Sequence, residues 1–213
     1  MTEHAALMDR IYRHQRYIYD FTRKYYLFGR DRLIADLKLK PGARVVEVGC
    51  GTSRNLIKIA QAYPDAKLFG LDASAEMLLT SAKAIERAGL SNRIKLVQAY
   101  AEHLTPGLFG EQAPFDAAIF SYSLSMIPDW KQALNAARAA LAPDGRVHVV
   151  DFGDLTGLGP IGERLLRGWL GLFHVAPREE LLQTIEKSDS GGLSLLAGRY
   201  AFIWTAGGQN RSH

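Results

Sequence analysis

Cysteine is nearly absent from this chain: Cys50 stands alone among 213 residues, so no internal disulfide can form and a reducing compartment is the natural setting. No uninterrupted apolar run is long enough to span a bilayer. The amino terminus carries charges throughout its first helical stretch, without the compact apolar segment and small-residue cleavage site of a secretory signal. Internal repeats and low-complexity tracts are missing too. Acids fall short of bases, 22 against 26, for a formal charge of +4. That excess permits contact with nucleic acid or an anionic membrane without choosing between them. What remains is a chain with 47% hydrophobic residues and the size of one well-buried domain.

The most informative stretch is Val45-Val46-Glu47-Val48-Gly49-Cys50-Gly51-Thr52-Ser53, an apolar strand with an acid and two closely spaced glycines. It reads as strand, tight turn and helix, with bare main chain against which a ligand can lie. Leu68-Phe69-Gly70-Leu71-Asp72 follows about one helix later. Asp72 thus ends the second strand where a carboxylate can grip two ribose hydroxyls, which implies an adenosine cofactor. The loop lacks the third glycine of a dinucleotide fingerprint, Arg54 standing in its place, and lacks the Lys-Ser or Lys-Thr pair of a P-loop. Glu47 suits a cationic ligand better than phosphates. The pattern resembles the first motif of class I S-adenosylmethionine-dependent methyltransferases, whose loop faces the methionyl part of the cofactor.

Residues 5 to 28 follow a helical pattern, with Leu7, Ile11, Ile18, Phe21, Tyr25 and Phe28 on one stripe. Tyr12, Tyr19 and Tyr26 repeat every seven residues beside it, and Arg10, Arg13, Arg16, Arg23 and Lys24 add positive charge. Two readings fit: a helix packed on the domain with a solvated basic side, or an interfacial helix meeting anionic lipid headgroups. Strands are expected near 43–48, 67–71, 94–98, 115–120 and 146–151, with helices between them and Pro143-Asp144-Gly145 as the turn between a helix ending near Leu141 and the fifth strand. Such alternation implies a parallel sheet with right-handed crossovers and ligands at the carboxyl ends of its strands. Two further strands are expected near 193–197 and 200–205.

The fold is therefore expected to be α/β and Rossmann-like, a mostly parallel seven-stranded sheet with helices on both faces and an N-terminal amphipathic helical cap. A single domain spans 1–213: cap 1–38, cofactor core 39–151, lid helices and last strands 152–205, and a flexible tail 206–213. No metal site is expected.

The class I resemblance extends through most of the chain. It implies that Glu47, Gly49, Gly51 and Asp72 bind S-adenosylmethionine, that Tyr100, Ala101 and Glu102 border adenine, and that Ser121 ends the fourth strand facing the methionyl group. Ser53 replaces the usual third small glycine, and Tyr100 stands where many members carry an acid. Nucleic acid is not the expected acceptor, since Ser121-Tyr122-Ser123-Leu124-Ser125-Met126-Ile127-Pro128 departs from the Asn/Asp-Pro-Pro-aromatic loop associated with exocyclic base nitrogens.

A narrower likeness lies in Tyr12-Arg13-His14-Gln15-Arg16 and onward through Gly29-Arg30-Asp31-Arg32-Leu33-Ile34, in Ser121 to Trp130, in Val149-Val150-Asp151-Phe152-Gly153, and in Phe173-His174-Val175-Ala176-Pro177-Arg178. These segments resemble the bacterial betaine-lipid methyltransferases, which convert diacylglyceryl-homoserine to diacylglyceryl-trimethylhomoserine with three S-adenosylmethionine molecules. The likeness implies a lipid substrate with an amine headgroup, an anionic membrane surface as partner, and a cytoplasmic protein peripheral on the inner face of the membrane.

For that chemistry Tyr19, Tyr25, Tyr26 and Tyr122 are candidates to surround an amine that becomes quaternary. Arg178 and Arg23 are candidates for the headgroup carboxylate, and Asp151, Tyr25 and His174 are the candidate catalytic groups. Phosphatidylethanolamine N-methylation and a non-catalytic cofactor-binding membrane module are the alternatives.

Overall fold

Arg44–Val48 forms β1, in which alternation divides the side chains between two buried layers. Val45 faces one layer; Val46 and Val48 face the other. The remaining strands of the computed structural model are β2 (Lys67–Asp72), β3 (Ile94–Gln98), β4 (Phe115–Ser121), β5 (Leu141–Phe152), β6 (Gly192–Leu196) and β7 (Ala201–Gly207). Its helices are α1 (Arg30–Ala35), α2 (Arg54–Ala62), α3 (Ala75–Arg87), α4 (Trp130–Ala139) and α5 (Glu179–Glu186). The structure describes residues 27–159, 162–165, 168, 178–187 and 191–207.

The seven strands lie in the order β3-β2-β1-β4-β5-β7-β6. β1 to β5 pair in parallel, and β7 runs antiparallel to both β5 and β6. This is the Rossmann-like, mostly parallel arrangement the sequence implies. Leu33 of α1, Leu56 and Ile59 of α2 and Ile85 of α3 cover the Val45 face. Trp130 and Leu134 of α4 and Leu181 and Ile185 of α5 cover the other. Burial on both faces explains why the central strands read as nearly continuous apolar runs.

Local chemistry sets the ends of the helices. Ser74 caps α3 by accepting the Met77 N–H at 3.3 Å, and Asp129 caps α4 by accepting the Gln132 N–H at 3.2 Å. The β6–β7 turn is tied back by Arg199, whose Nη2 donates to Asp154 at 2.6 Å and to Glu186 at 2.8 Å. The Arg199 guanidinium holds the Asp154 carboxyl down at about 2.

Three expectations need correction. The helical pattern proposed through Phe28 does not include residues 27–29: Phe28 and Gly29 form a turn before α1, with Gly29 at φ +85°, a conformation that closes a turn rather than continuing a helix. Residues 5–26 of that pattern lie outside the described residues. Pro143-Asp144-Gly145 does not separate α4 from β5. The chain pairs Leu141 with Phe115 before the turn and Arg146 with Ala117 after it, so the turn bulges out of one strand. The tail set at 206 starts too early as well, since Ala206 is buried and pairs with Val147, and Gly207 pairs with Arg146.

Candidate functional site

The strand order reverses between β1 and β4, and there the carboxyl ends of the strands diverge to open a crevice. A cleft of about 350 Å³ occupies it. The turn after β1 forms its floor: the Gly49 and Cys50 N–H groups donate to Leu71 O at 2.8 and 3.0 Å, and Gly51 N–H donates to the Asp72 carboxylate at 2.8 Å. Gly49 has φ +72°, and a Cβ there would lie 2.6 Å from Cβ of Ser123. Only glycine fits that position.

Ser53 also adopts a left-handed conformation, φ 57°, which explains why a glycine suits this place in the loop and why serine is strained there. Its hydroxyl is buried against that of Ser81 on α3. Cys50 is buried beneath the loop. Burial pushes its thiol well up, with Asp72 and Glu47 adding to the effect, so it is no nucleophile.

Asp72 lines the cleft from the end of β2. Its oxygens accept from the N–H groups of Gly51 and Ser74, at 2.8 and 2.9 Å, which occupy part of a carboxylate's acceptor capacity. Tyr100, Ala101 and Glu102 line the side beyond β3, where a short 3-10 turn over Ala101–His103 turns the chain across the opening. The sequence pattern missed Met77 and Ala99 on this side.

Glu47 and Ser121 do not line the cleft. Period-two alternation puts Glu47 on the α2 face of β1, where it is 2% exposed and accepts the Asn55 amide N–H at 2.7 Å. It thus supports the loop from below. Ser121 is buried in β4, and two residues later Ser123 reaches the cleft and donates to Val48 O at 2.7 Å. Ser123 was missed; its signal is its position immediately past the strand end, where the chain must cross β1.

The segment after β4 forms the far wall. Tyr122, at φ 56°, also lines the cleft; its ring packs in the core with its centroid 4.7 Å from that of Phe152, and its hydroxyl donates to Phe28 O at 2.6 Å. Met126, Ile127 and Pro128 complete that wall. The carboxylates of Asp72 and Glu102 face the cleft and no lysine or arginine does, among the described residues. Such a lining suits a sulfonium ligand and brings no positive side chain of the described residues to a phosphate.

Asp151 and Arg178 sit behind this wall, not in the cleft. Asp151 is fully buried; it accepts from Ser125 N–H at 3.0 Å and from Phe152 N–H at 2.8 Å. Burial pushes its carboxyl up to about 6. Arg178 directs its guanidinium to the same segment, donating to Ser125 O at 2.9 Å and Pro128 O at 3.3 Å. The structure thus gives both side chains a hold on this segment, Asp151 through backbone N–H groups and Arg178 through its Nε and Nη1, alongside the roles expected of them as proton acceptor and carboxylate fork. Tyr19, Arg23, Tyr25, Tyr26 and His174 lie outside the described residues.

A family model described as a methyltransferase domain matches residues 45–145. The chain is 31% identical over 149 residues to the demethylmenaquinone methyltransferase of Lactobacillus johnsonii, covering 70% of this chain and 57% of that one. It is 32% identical over 165 residues to the ubiquinone/menaquinone biosynthesis C-methyltransferase UbiE of Syntrophotalea carbinolica, covering 75% and 65%. The chain thus spans 57% to 65% of the length of these curated relatives, whose names specify quinone rather than betaine-lipid methylation. Among solved structures, the S-adenosylmethionine-dependent methyltransferase SibL superposes with TM-score 0.67 at 21% identity, over 91% of this chain and 58% of that one. A SAM-dependent methyltransferase from Aquifex aeolicus superposes with TM-score 0.63 at 16% identity, over 88% and 93%. The fold is that of the class I methyltransferases and the cofactor is S-adenosylmethionine.

Proposed function

We propose that this class I S-adenosylmethionine-dependent methyltransferase methylates the amine of a lipid headgroup, converting diacylglyceryl-homoserine to diacylglyceryl-trimethylhomoserine in three transfers. The observation that carries the reading is the cleft's far wall: Tyr122, Met126, Ile127 and Pro128, uncharged, in a cleft lined also by Asp72 and Glu102 and by no cation among the described residues. An amine that loses its hydrogen-bond donors as it becomes quaternary is best held by aromatic and apolar surfaces, with acids at longer range. The likeness of the segments around Tyr12, Ser121, Val149 and Phe173 to betaine-lipid methyltransferases supports the same acceptor.

S-adenosylmethionine supplies an electrophilic methyl group. The chain's part is alignment: Asp72 and the glycine loop hold the donor, Tyr122 and Ser123 present the acceptor side, and the apolar wall excludes water from the amine. The nitrogen attacks only when unprotonated, so one proton leaves it before each of the three transfers and passes to solvent directly or by way of the Glu102 carboxylate, while the methyl–sulfur bond breaks and S-adenosylhomocysteine departs. Cytoplasmic attachment to the inner face of the membrane belongs to this reading, and no helix among the described residues is long and apolar enough to cross one.

The names of the curated relatives support a second reading, carbon methylation of a quinone precursor. The apolar wall accommodates a flat ring too. Purified protein supplied in parallel with homoserine lipid, phosphatidylethanolamine and a demethylated quinol, with methyl additions counted by mass, separates these. Trimethylation of homoserine lipid is expected. Methylation of the quinol alone overturns the lipid assignment, preferential trimethylation of phosphatidylethanolamine changes the headgroup, and no turnover on any of them leaves a binding module.

A further inference from the structure

Helices α2 and α3 pack on the same face of the sheet, and a groove of about 390 Å³ opens between them, apart from the cofactor cleft. Arg54 and Lys58 of α2 and Lys83 and Arg87 of α3 line it, and no acid does among the described residues. Asp31 of α1 reaches Lys58 at 2.7 Å and Arg54 at 3.3 Å from the margin. Lys83 and Arg87 are exposed, one helical turn apart, and meet no carboxylate among the described residues. Some cations elsewhere find acids, Arg44 and Lys95 sharing Glu111, Lys131 meeting Glu180 and Arg199 holding Asp154 and Glu186, and no other concavity among those described gathers four cations. Four cations converging on one concavity against a single marginal carboxylate make a site for an anion.

The surroundings select the kind of anion. No aromatic ring lines the groove, so a nucleic-acid base has nothing to stack on. Leu79 is 59% exposed and stands one turn before Lys83 on α3, and an exposed apolar side chain beside basic ones is what the headgroup layer of a bilayer receives. The Thr80 hydroxyl donates to Glu76 O at 3.1 Å, so the four cations and Thr52 are the groups the groove offers an anion. Thr52, also in the groove, directly follows Gly51 of the cleft floor, so groove and cleft lie on two sides of one loop.

We propose that the α2–α3 groove receives the phosphodiester of an anionic phospholipid headgroup and docks the protein on the bilayer with the glycine loop beside the membrane contact. The purpose of such docking rests on the reading of the acceptor as a lipid, but the binding itself is measured without turnover. Sedimentation of the full chain with phosphatidylglycerol vesicles, and with phosphatidylcholine vesicles as the neutral control, is compared with that of the Lys83→Gln/Arg87→Gln variant. Each basic residue near an anionic surface contributes about fivefold, so the variant is expected to bind roughly 30-fold more weakly, with a smaller gap at high salt. Affinity for S-adenosylmethionine, measured by calorimetry on both proteins, is expected to stay the same. A parent that ignores phosphatidylglycerol, or a variant that binds it as the parent does, overturns the proposal. Inorganic phosphate is the remaining arm: if it binds the parent and not the variant while vesicle binding is indifferent to the substitutions, the groove serves a soluble phosphoester and the membrane assignment fails. Groove-dependent vesicle binding without methylation of any lipid would retain the groove and reject the lipid acceptor.

Discussion

Asp151→Asn isolates the cost of a carboxylate that the fold uses as a buried acceptor. The side chain is fully buried, and burial raises its carboxyl from 3.8 to about 6 even though the Ser125 and Phe152 N–H groups oppose the rise. Between these values the unfolded chain ionises Asp151 while the folded chain keeps it protonated. Stability from this group is thus fully present below pH 3.8 and is lost as pH rises through about 6, a displacement worth about 3 kcal/mol. Asparagine cannot ionise and escapes that decline. It keeps one carbonyl oxygen for the Ser125 N–H but turns its amide toward the Phe152 N–H, a loss of about 1–2 kcal/mol. The two effects predict a crossover: the variant is the less stable protein at about pH 4.5 and equals or exceeds the parent at about pH 8. Urea unfolding at several pH values measures it, with the midpoint difference as readout. A constant offset across that range would refute the reasoning, because Asp151 would then titrate alike in both states.

Asp72→Ala is expected to weaken S-adenosylmethionine binding by about 1–3 kcal/mol, since a charged acceptor and the ties to Gly51 and Ser74 are lost together. Calorimetry on the folded variant tests this, and an unchanged Kd removes Asp72 from the cofactor site. Arg178→Ala is expected to lower stability by about 1–3 kcal/mol, because its guanidinium bonds hold the wall's backbone at Ser125 and Pro128. Thermal melts beside acceptor kinetics decide its role: unaltered stability with a raised KM for the homoserine lipid alone would make it a headgroup ligand instead of a clamp.

Periodicity and turn chemistry made much of the sheet legible. The apolar runs of β1 to β4 fall within a residue of their expected limits, and Gly49, Gly51 and Asp72 were placed by spacing alone. The misplacements share a cause. Glu47 was read by its neighbourhood in the motif, but strand alternation turned it away from the cleft to Asn55. Asp151 was placed correctly at the end of β5, yet nothing local reveals that Ser125, from another strand's loop, closes over it. Arg178 looks like a ligand fork in sequence because its partners are backbone carbonyls some fifty residues away. Strand register past 205 was missed because the pairing of Ala206 with Val147 is a long-range event that local composition does not record.

The segment after β4 shows how such a site divides its labour. Its backbone is tied to the scaffold: Tyr122 N–H donates to Val150 O at 2.7 Å, Ser125 N–H donates to Asp151 and Ser125 O accepts from Arg178, while Ser123 Oγ donates to Val48 O. Met126, Ile127 and Pro128, by contrast, face the cleft with side chains that hold no hydrogen bond to the scaffold. The wall's backbone is fixed by Arg178 and Ser123 while its three side chains stay apolar, and the glycine loop and Asp72 are positioned by the sheet itself. That separation places the donor-side residues under the sheet's own geometry and leaves three apolar side chains as the wall's contribution to the cleft. It also explains why the donor half of this site is the half that a sequence motif can carry.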